Sequence, residues 1–490
     1  MPTPTNILWI CSDQQRFDTL GCTGNAFVKT PNLDALAASG VMFERAFTVS
    51  PVCTPSRAAM LTGRYPRTTR CRQNGQSIPA DEVLVTSLLA RAGWTCGLSG
   101  KLHISACAPN ICPTVERRID DGYSEFHWSH HPNPDWPANE YIQWLRARGE
   151  EFRKTPCPES PWVQTSPSEP LHQTTWCVEK AMEFIRGRAG RPWLFSINMF
   201  DPHHPFDPPR EYLERYLPML DDIPLPNYVP GELDNKPRVQ KLDHLGGYNN
   251  PKNHPYDRMT PRDHRVVRAA YWAMVDLIDA QVGRLLRMLD ESGLRESTLV
   301  IFTSDHGEML GDHGIYLKGP HFYEPAVRVP LIASMPGTIA AGRRSRAMVE
   351  LPDLAPTLLD AAGLPRHPGM QAKSLWPILA GEKGDRPPAG KRGLSPFSLR
   401  DDVYCEYYNA LTSHKDPTSQ ATMVRSERYK LVAHHGEQPG ELYDIEADPN
   451  ETRNLWDDPS ARDAKIEMLQ RLADRMAWTV DPLPPRESRW

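Results

Sequence analysis

Four short segments place acids, an amide, imidazoles and an ammonium group directly after apolar runs. Asp13-Gln14 follows Asn6 to Cys11, Gly100-Lys101-Leu102-His103 follows Thr95 to Ser99, Asp201-Pro202-His203-His204 follows Trp193 to Met199, and Asp305-His306 follows Thr298 to Thr303. In an open α/β sheet, ligands bind beyond the carboxyl ends of the strands. One acid after a strand is as often a turn former or helix cap, but four such ends together point to one shared site. Asp13, Gln14, Asp305 and His306 offer two carboxylates, an amide oxygen and an imidazole. That oxygen-rich set suits a single hard divalent cation, Ca²⁺, Mg²⁺ or Mn²⁺, better than zinc. No pair of C-x-x-C units at finger spacing argues for a thiolate site.

The elements that must position these residues alternate between short β-branched runs and helical patterns, the signature of a sheet flanked by helices. Strands are expected at Asn6 to Cys11, Val41 to Phe43, Thr95 to Ser99, Trp193 to Met199 and Thr298 to Thr303. Helices are expected near Leu33 to Ser39, Glu82 to Ala92, Thr174 to Arg186 and Asp353 to Ala362. The longest spans Arg265 to Glu291, with Val267, Tyr271, Met274, Ile278, Val282, Leu285 and Leu289 on one face. Two stretches, Cys107 to Pro170 and Phe206 to Pro261, are dense in Pro, Trp and His without a sustained period and read as long loops. Gly381 to Pro396 reads as a boundary. Beyond it, Val403 to Tyr408, Thr422 to Val424, Tyr429 to Ala433 and Glu441 to Ile445 suggest a small antiparallel sheet, followed by a helix from Ala461 to Trp478. The expectation is an α/β fold with a large mixed, mostly parallel sheet over residues 1–380 and a smaller α+β unit over 381–490.

Composition narrows the function classes. The 490 residues carry 56 Lys plus Arg against 61 Asp plus Glu, a formal charge of −5 without a basic block, which argues against a nucleic-acid partner held by bulk charge. No apolar run approaches the length of a membrane span, and the N-terminus reads as lacking an export signal, so a cytoplasmic protein with no membrane partner is expected. Proline, at 49, is abundant and implies rigid loops. Ten cysteines in such a setting read as free thiols rather than a disulfide framework.

One cysteine stands apart. Cys53-Thr54-Pro55-Ser56-Arg57, continuing through Leu61-Thr62-Gly63-Arg64, resembles the signature of the type I sulfatases, whose cysteine is oxidised to formylglycine (3-oxoalanine) by a formylglycine-generating enzyme. Pro55 suits a first helical turn, which places residue 53 near a positive helix end. The resemblance extends over nearly the whole chain: Asn6 to Gln14, Lys29 to Asp34, Gly100 to His103, Pro202-His203-His204-Pro205-Phe206, Thr303 to Glu308, Lys318, Tyr323 to Pro330, and the C-terminal Glu441 to Asp444 and Asp448 to Glu451.

That resemblance implies an alkaline phosphatase-like fold and a sulfuric ester hydrolase acting on aryl or carbohydrate sulfates. It implies one divalent cation, Ca²⁺ first with Mn²⁺ or Mg²⁺ as alternatives, on Asp13, Gln14, Asp305, His306 and the converted Cys53. The hydrated aldehyde at position 53 would attack sulfur, and His203 with Lys318 would protonate the leaving oxygen. His103 would take a proton from the second hydroxyl so that sulfate is expelled, Lys101 and Lys318 would hold sulfate oxygens, and Arg57 would orient the nucleophile. Many members carry Asp-Asp where this chain has Asp13-Gln14, and Asn where it has His306. This departure lowers the carboxylate charge, favours Mn²⁺ or Mg²⁺, and also occurs in phosphonate monoester hydrolases. A phosphonate monoester or phosphodiester hydrolase using the same site is therefore the alternative, and a non-catalytic binder of sulfated ligands a third reading. His127, His130, His131, Trp128, Trp136 and Trp144 either face substrate or anchor the first long loop, and His313 either supports the site or bonds backbone in a turn. A homo-oligomer is compatible with the ordered loops.

Overall fold

The first strand, β1 (Asn6–Ser12), is buried at all seven positions and alternates its side chains between two cores. Ile7, Trp9 and Cys11 pack with Leu299, Ile301, Leu194, Ala58, Leu89 and Leu358 on one face. Leu8 and Ile10 pack with Val300, Phe302, Phe195, Trp176 and Ile278 on the other. A strand whose inner positions, Ile7 to Cys11, are all apolar requires helices on both faces, which is why this run is continuously hydrophobic rather than alternating.

In chain order the remaining strands are β2 (Val41–Phe47), β3 (Thr95–Gly100), β4 (Tyr123–Trp128), the two-residue ribbon β5 (Thr155–Pro156) and β6 (Gln164–Thr165), β7 (Trp193–Asn198), β8 (Thr298–Ser304), β9 (Arg328–Val329), β10 (Leu331–Ser334) and β11 (Arg343–Glu350). The main sheet runs β11-β2-β10-β8-β1-β7-β3-β4, with β9 on β2. β1 is parallel to β7 and β8, and β3 is parallel to β7 and β4, so the carboxyl ends of β1, β3, β7 and β8 open on the same edge. β10 runs antiparallel to its neighbours and makes the sheet mixed.

The computed structural model describes residues 4–188, 190–381, 399–414, 419–436 and 439–485. The boundary segment Gly381 to Pro396 lies, past Gly381, outside the described residues. Beyond it, β12 (Asp402–Tyr408), β13 (Gln420–Ser426), β14 (Tyr429–His434) and β15 (Glu441–Asp444) form an antiparallel sheet. Val403, Cys405 and Tyr407 pack against Phe47, Val52, Phe322 and Val327 of the main unit, while Tyr404 joins Met468 and Leu472 of the helix Arg462–Trp478. The small sheet is thus held on both faces.

The long helix, Pro261–Glu291, starts four residues earlier than its apolar period suggested because a capping box extends it: Thr260 Oγ1 accepts from Asp263 N and Asp263 Oδ2 accepts from Thr260 N. The stretch Cys107 to Pro170 is not one loop. It contains edge strand β4 and the helix Glu140–Ala147, and β4 escaped notice because Ser124, Glu125 and His127 interrupt its apolar residues, as an edge strand with a single partner permits. Likewise Phe206 to Pro261 holds the helix Arg238–His244.

Candidate active site

The helix Cys53–Thr62 is buried along its whole length and begins at Cys53, with Pro55 in its first turn. Its first amides are not capped by residue 52. Asn74 Oδ1 instead accepts from Thr54 N at 3.0 Å, and Ser56 donates to Asp305 O at 2.6 Å, which ties the helix start to the end of β8. Cys53 Sγ then lies 3.2 Å from His306 Nε2, 3.1 Å from Lys318 Nζ and 3.8 Å from Asp13 Oδ1.

Each strand end is bent into place by an identifiable contact. Gln14 adopts φ 67° and is held by Tyr271, which donates to its carbonyl, and by Asp305 Oδ1, which accepts from its amide at 3.0 Å. Gly100 sits at φ 96° with Asn198 O where a Cβ would be, so glycine alone can turn β3 toward Lys101. His103, at φ 53°, is fixed by Glu116, whose carboxylate accepts from the amides of His103, Ile104 and Ser105 at 2.7, 3.0 and 3.2 Å and from Trp128 Nε1 at 3.1 Å.

The charges interlock. Arg57 reaches Asp305 Oδ2 at 2.8 Å, Asp13 Oδ2 at 3.3 Å and Lys101 O at 2.8 Å, and Lys101 Nζ donates to Asp13. Burial and the Cys53 thiol oppose ionisation of Asp13, but Lys101, His203 and Arg57 hold it well below the usual carboxylate range. Burial also opposes ionisation of Cys53, yet Lys101, Lys318 and His306 draw the thiol well below its ordinary value. Lys318 Nζ donates to Gln14 Oε1 at 2.7 Å and to His203 Nε2 at 2.8 Å. His203 donates from Nδ1 to His204 O, and burial with the adjacent Lys318 pushes its imidazole down to about 4.

The donor set fits a divalent cation. One ligand atom each from Asp13, Cys53, Asp305 and His306 lies within 4.8 Å of the others, and all four residues are buried. His306 gives its Nδ1 proton to Gly307 O at 2.9 Å, which leaves the Nε2 lone pair facing Cys53 and the two carboxylates. Asp13, Asp305 and the His306 imidazole thus converge on Cys53 as a donor set of the kind that a divalent cation takes. Gln14 flanks this group, its amide NH₂ donating to buried Glu308.

The nine other site residues expected from the sequence surround Cys53: Arg57 lies on its own helix, and Asp13, Gln14, Lys101, His103, His203, Asp305, His306 and Lys318 approach it from five further chain segments. Glu116 was not anticipated, and Glu308, within the Thr303 to Glu308 resemblance, was given no role. Glu308 also accepts from the amides of Leu310 and Leu317 and so shapes the turn leading to Lys318. Trp128 and Trp136 are fully buried, edge to face at 4.8 Å, and Trp144 is buried on the helix Glu140–Ala147 in a separate cluster, so these rings anchor rather than face substrate. His127 bonds Glu140. His130 lies edge-on against His103 at 4.4 Å and bonds His131, whose ring leans on Phe200 beside His203. His313 bonds Glu232 at 2.9 Å, not backbone, and stacks on Tyr323. All ten cysteines are free thiols. Among the described residues no helix is long and apolar enough to cross a membrane.

Known proteins share this arrangement of chain and fold. The sequence is 28% identical to an arylsulfatase of Clostridium perfringens over 95% of this chain and 93% of that protein. It is 30% identical to PehA of Trinickia caryophylli, described as a multifunctional alkaline phosphatase superfamily protein, over 94% and 92%. The crystal structure of the phosphonate monoester hydrolase of Agrobacterium radiobacter superposes with a TM-score of 0.80 at 27% identity, covering 98% of this chain and 97% of that one. An N-sulphoglucosamine sulphohydrolase C-terminal family model matches residues 311–477, which span Lys318 and the small sheet. The Sulfatase family model matches residues 5–364, from the first residues of β1 through every strand end that borders Cys53, and the chain belongs to that family.

Proposed function

We propose that the protein hydrolyses sulfate monoesters, aryl or carbohydrate, through a formylglycine derived from Cys53. The observation that carries this reading is the position of Cys53 at a helix start, with Lys318 at 3.1 Å and His306 at 3.2 Å from its sulfur. Residue 53, once oxidised by a formylglycine-generating enzyme, and one divalent cation on Asp13, Gln14, Asp305, His306 and residue 53 would supply the nucleophilic oxygen and the Lewis acid for attack at sulfur.

The chain's own groups do the rest. Lys101 and Lys318 bring two ammonium groups to residue 53 from different segments and would hold the oxygens of a sulfate ester. Arg57 holds the Asp13 and Asp305 side chains in place. Lys318 Nζ, hydrogen-bonded to His203 Nε2, holds the proton that the departing alcohol oxygen needs. Burial and Lys101 keep His103 below its ordinary imidazole value, so it is a neutral base beside residue 53. Ca²⁺ is the expected ion, with Mn²⁺ or Mg²⁺ the alternatives that elemental analysis of purified protein would distinguish.

Mass spectrometry of the Cys53 peptide, from protein co-produced with the maturation enzyme, should show a loss of about 18 Da relative to cysteine. Unmodified protein with full sulfatase activity would overturn the mechanism. The likeness to a phosphonate monoester hydrolase structure supports a second reading, phosphonate monoester or phosphodiester hydrolysis at the same site. Comparing kcat/KM on an aryl sulfate and an aryl phosphonate decides between them.

A further inference from the structure

Asp243, on the helix Arg238–His244, is fully buried at the meeting point of three parts of the chain. Its Oδ2 accepts from His321 Nε2 at 2.8 Å and from His414 Nε2 at 3.0 Å, and its Oδ1 accepts from the amide of Asn249 at 2.8 Å. His321 lies three residues beyond Lys318. His414 follows β12 in the C-terminal unit, and Asn249 follows Tyr248, whose ring packs on His204 at 5.4 Å. The tautomer of His414 is set from behind: Tyr407 OH accepts from Leu411 N, so its proton goes to His414 Nδ1 at 2.8 Å and leaves Nε2–H for Asp243.

We propose that Asp243, through His321 and His414, is the positioning residue for Lys318, and that the C-terminal unit thereby forms part of the catalytic apparatus. The proposal rests on the role given to Lys318 above. The backbone between Lys318 and His321 packs closely on the two imidazoles: a Cβ on Gly319 would lie 2.9 Å from both His321 Nε2 and His414 Cε1, so a shift of either ring is felt by this segment. On its other side the segment is fixed by Leu317 N donating to Glu308. Lys318 is thus gripped before and after, and only then does its ammonium reach Gln14, Cys53 and His203 together. Asn at 243 keeps the volume and the Oδ1 acceptor, but its NH₂ meets imidazole N–H donors with nothing to accept.

The test uses formylglycine-loaded enzyme and aryl sulfates whose phenols span a range of leaving-group pKa. Asp243→Asn should lower kcat by about 10²-fold for the poorest leaving groups and little for the best, with KM nearly unchanged. In a Lys318→Ala background it should cause no further loss. A uniform loss for every leaving group, or a full additional loss in the Lys318→Ala background, overturns the proposal. His414→Gln, which alters only the C-terminal partner, should give the same pattern in weaker form. Amide hydrogen exchange over residues 316–321 needs no turnover: faster exchange in both variants supports the coupling, and unchanged exchange overturns it. Wild-type enzyme inactive on every sulfate and phosphonate would instead overturn the hydrolase reading, leaving the exchange result to judge this one.

Discussion

The Lys318 ammonium donates to His203 Nε2 at 2.8 Å, and this contact fixes which of the two carries the proton. His203 has already committed its Nδ1 proton to His204 O at 2.5 Å, so Nε2 holds a lone pair and the shared proton resides on Lys318. Burial beside a cation, which lowers the imidazole to about 4, agrees with that assignment.

Replacing either partner should therefore remove protonation of the leaving oxygen. His203→Ala and Lys318→Ala are each expected to reduce kcat on alkyl or poorly activated aryl sulfates by roughly 10²–10⁴-fold. The loss should shrink with a nitrophenyl leaving group, which departs without a proton, and the double variant should lose little more than the worse single one. Rate measurements across leaving groups check this. An equal loss for all substrates would assign the pair to binding instead.

Arg57 separates two buried carboxylates, with Nε 2.8 Å from Asp305 and Nη2 3.3 Å from Asp13. Arg57→Ala leaves Asp305 without its guanidinium and Asp13 with Lys101 alone, and should cost about 3–5 kcal/mol without metal. A bound cation at about a hundred times its Kd returns about 2.7 kcal/mol, so chelation should depress the melting temperature of Arg57→Ala more than that of wild type. Arg57→Lys should not rescue the geometry, since one ammonium cannot span both acids. Melting curves with and without chelator, followed by addition of Ca²⁺, Mn²⁺ or Mg²⁺, test the site. Indifference of both proteins to chelator and cation would count against a metal centre there.

Much of this was readable because strand ends announce themselves. Continuous apolar runs such as Thr298 to Thr303 can only be central strands, and the polar pair that follows each one falls at the binding edge of the sheet. Cys53 was legible through a resemblance, since Cys53 to Arg57 followed by Leu61 to Arg64 matches the sulfatase signature, and the helix then places Pro55 in its first turn and Arg57 one turn on. The roles of Glu116, Glu308 and Asp243 were not legible, because a lone carboxylate in a loop or on a short helix has no local pattern. Their meaning comes from donors distant in sequence, such as His414 for Asp243, 171 residues away. The buried Trp128 and Trp136 show the same limit, since composition cannot say which face of a ring is covered.

Glu116 gives a prediction of this second kind. Its two oxygens accept four hydrogen bonds, three from consecutive amides that begin at His103 in a left-handed conformation. Glu116→Ala strands those donors in a buried site and should destabilise by about 3 kcal/mol or more. Because His103 is displaced rather than removed, kcat should fall with KM nearly constant. Glu116→Gln, which keeps one acceptor oxygen, should recover part of the loss. Equal kcat in Glu116→Ala and wild type would mean that His103 holds its place without this support.

Asp276 offers a test of pH dependence away from the reacting groups. It is buried on the long helix, where Oδ1 accepts from Lys29 N at 2.7 Å and from Tyr216 OH at 2.9 Å, and burial pushes its carboxyl up to about 7. In the unfolded chain the same group titrates near about 3.9. Between those values the folded protein holds a proton that the unfolded chain has released, so stability falls as pH rises through this window. The contribution is fully present below about pH 4 and gone above about pH 7, worth at most about 4 kcal/mol at 1.36 kcal/mol per unit, and less where Arg215, 4.0 Å from Oδ2, offsets the charge. Asp276→Asn keeps the acceptor and never ionises. Its melting temperature relative to wild type should therefore climb from pH 5 to pH 8, even though Asp279 one turn along adds a similar slope to both proteins. A constant difference between the two proteins across that range would show that Asp276 is already ionised in the fold at pH 5.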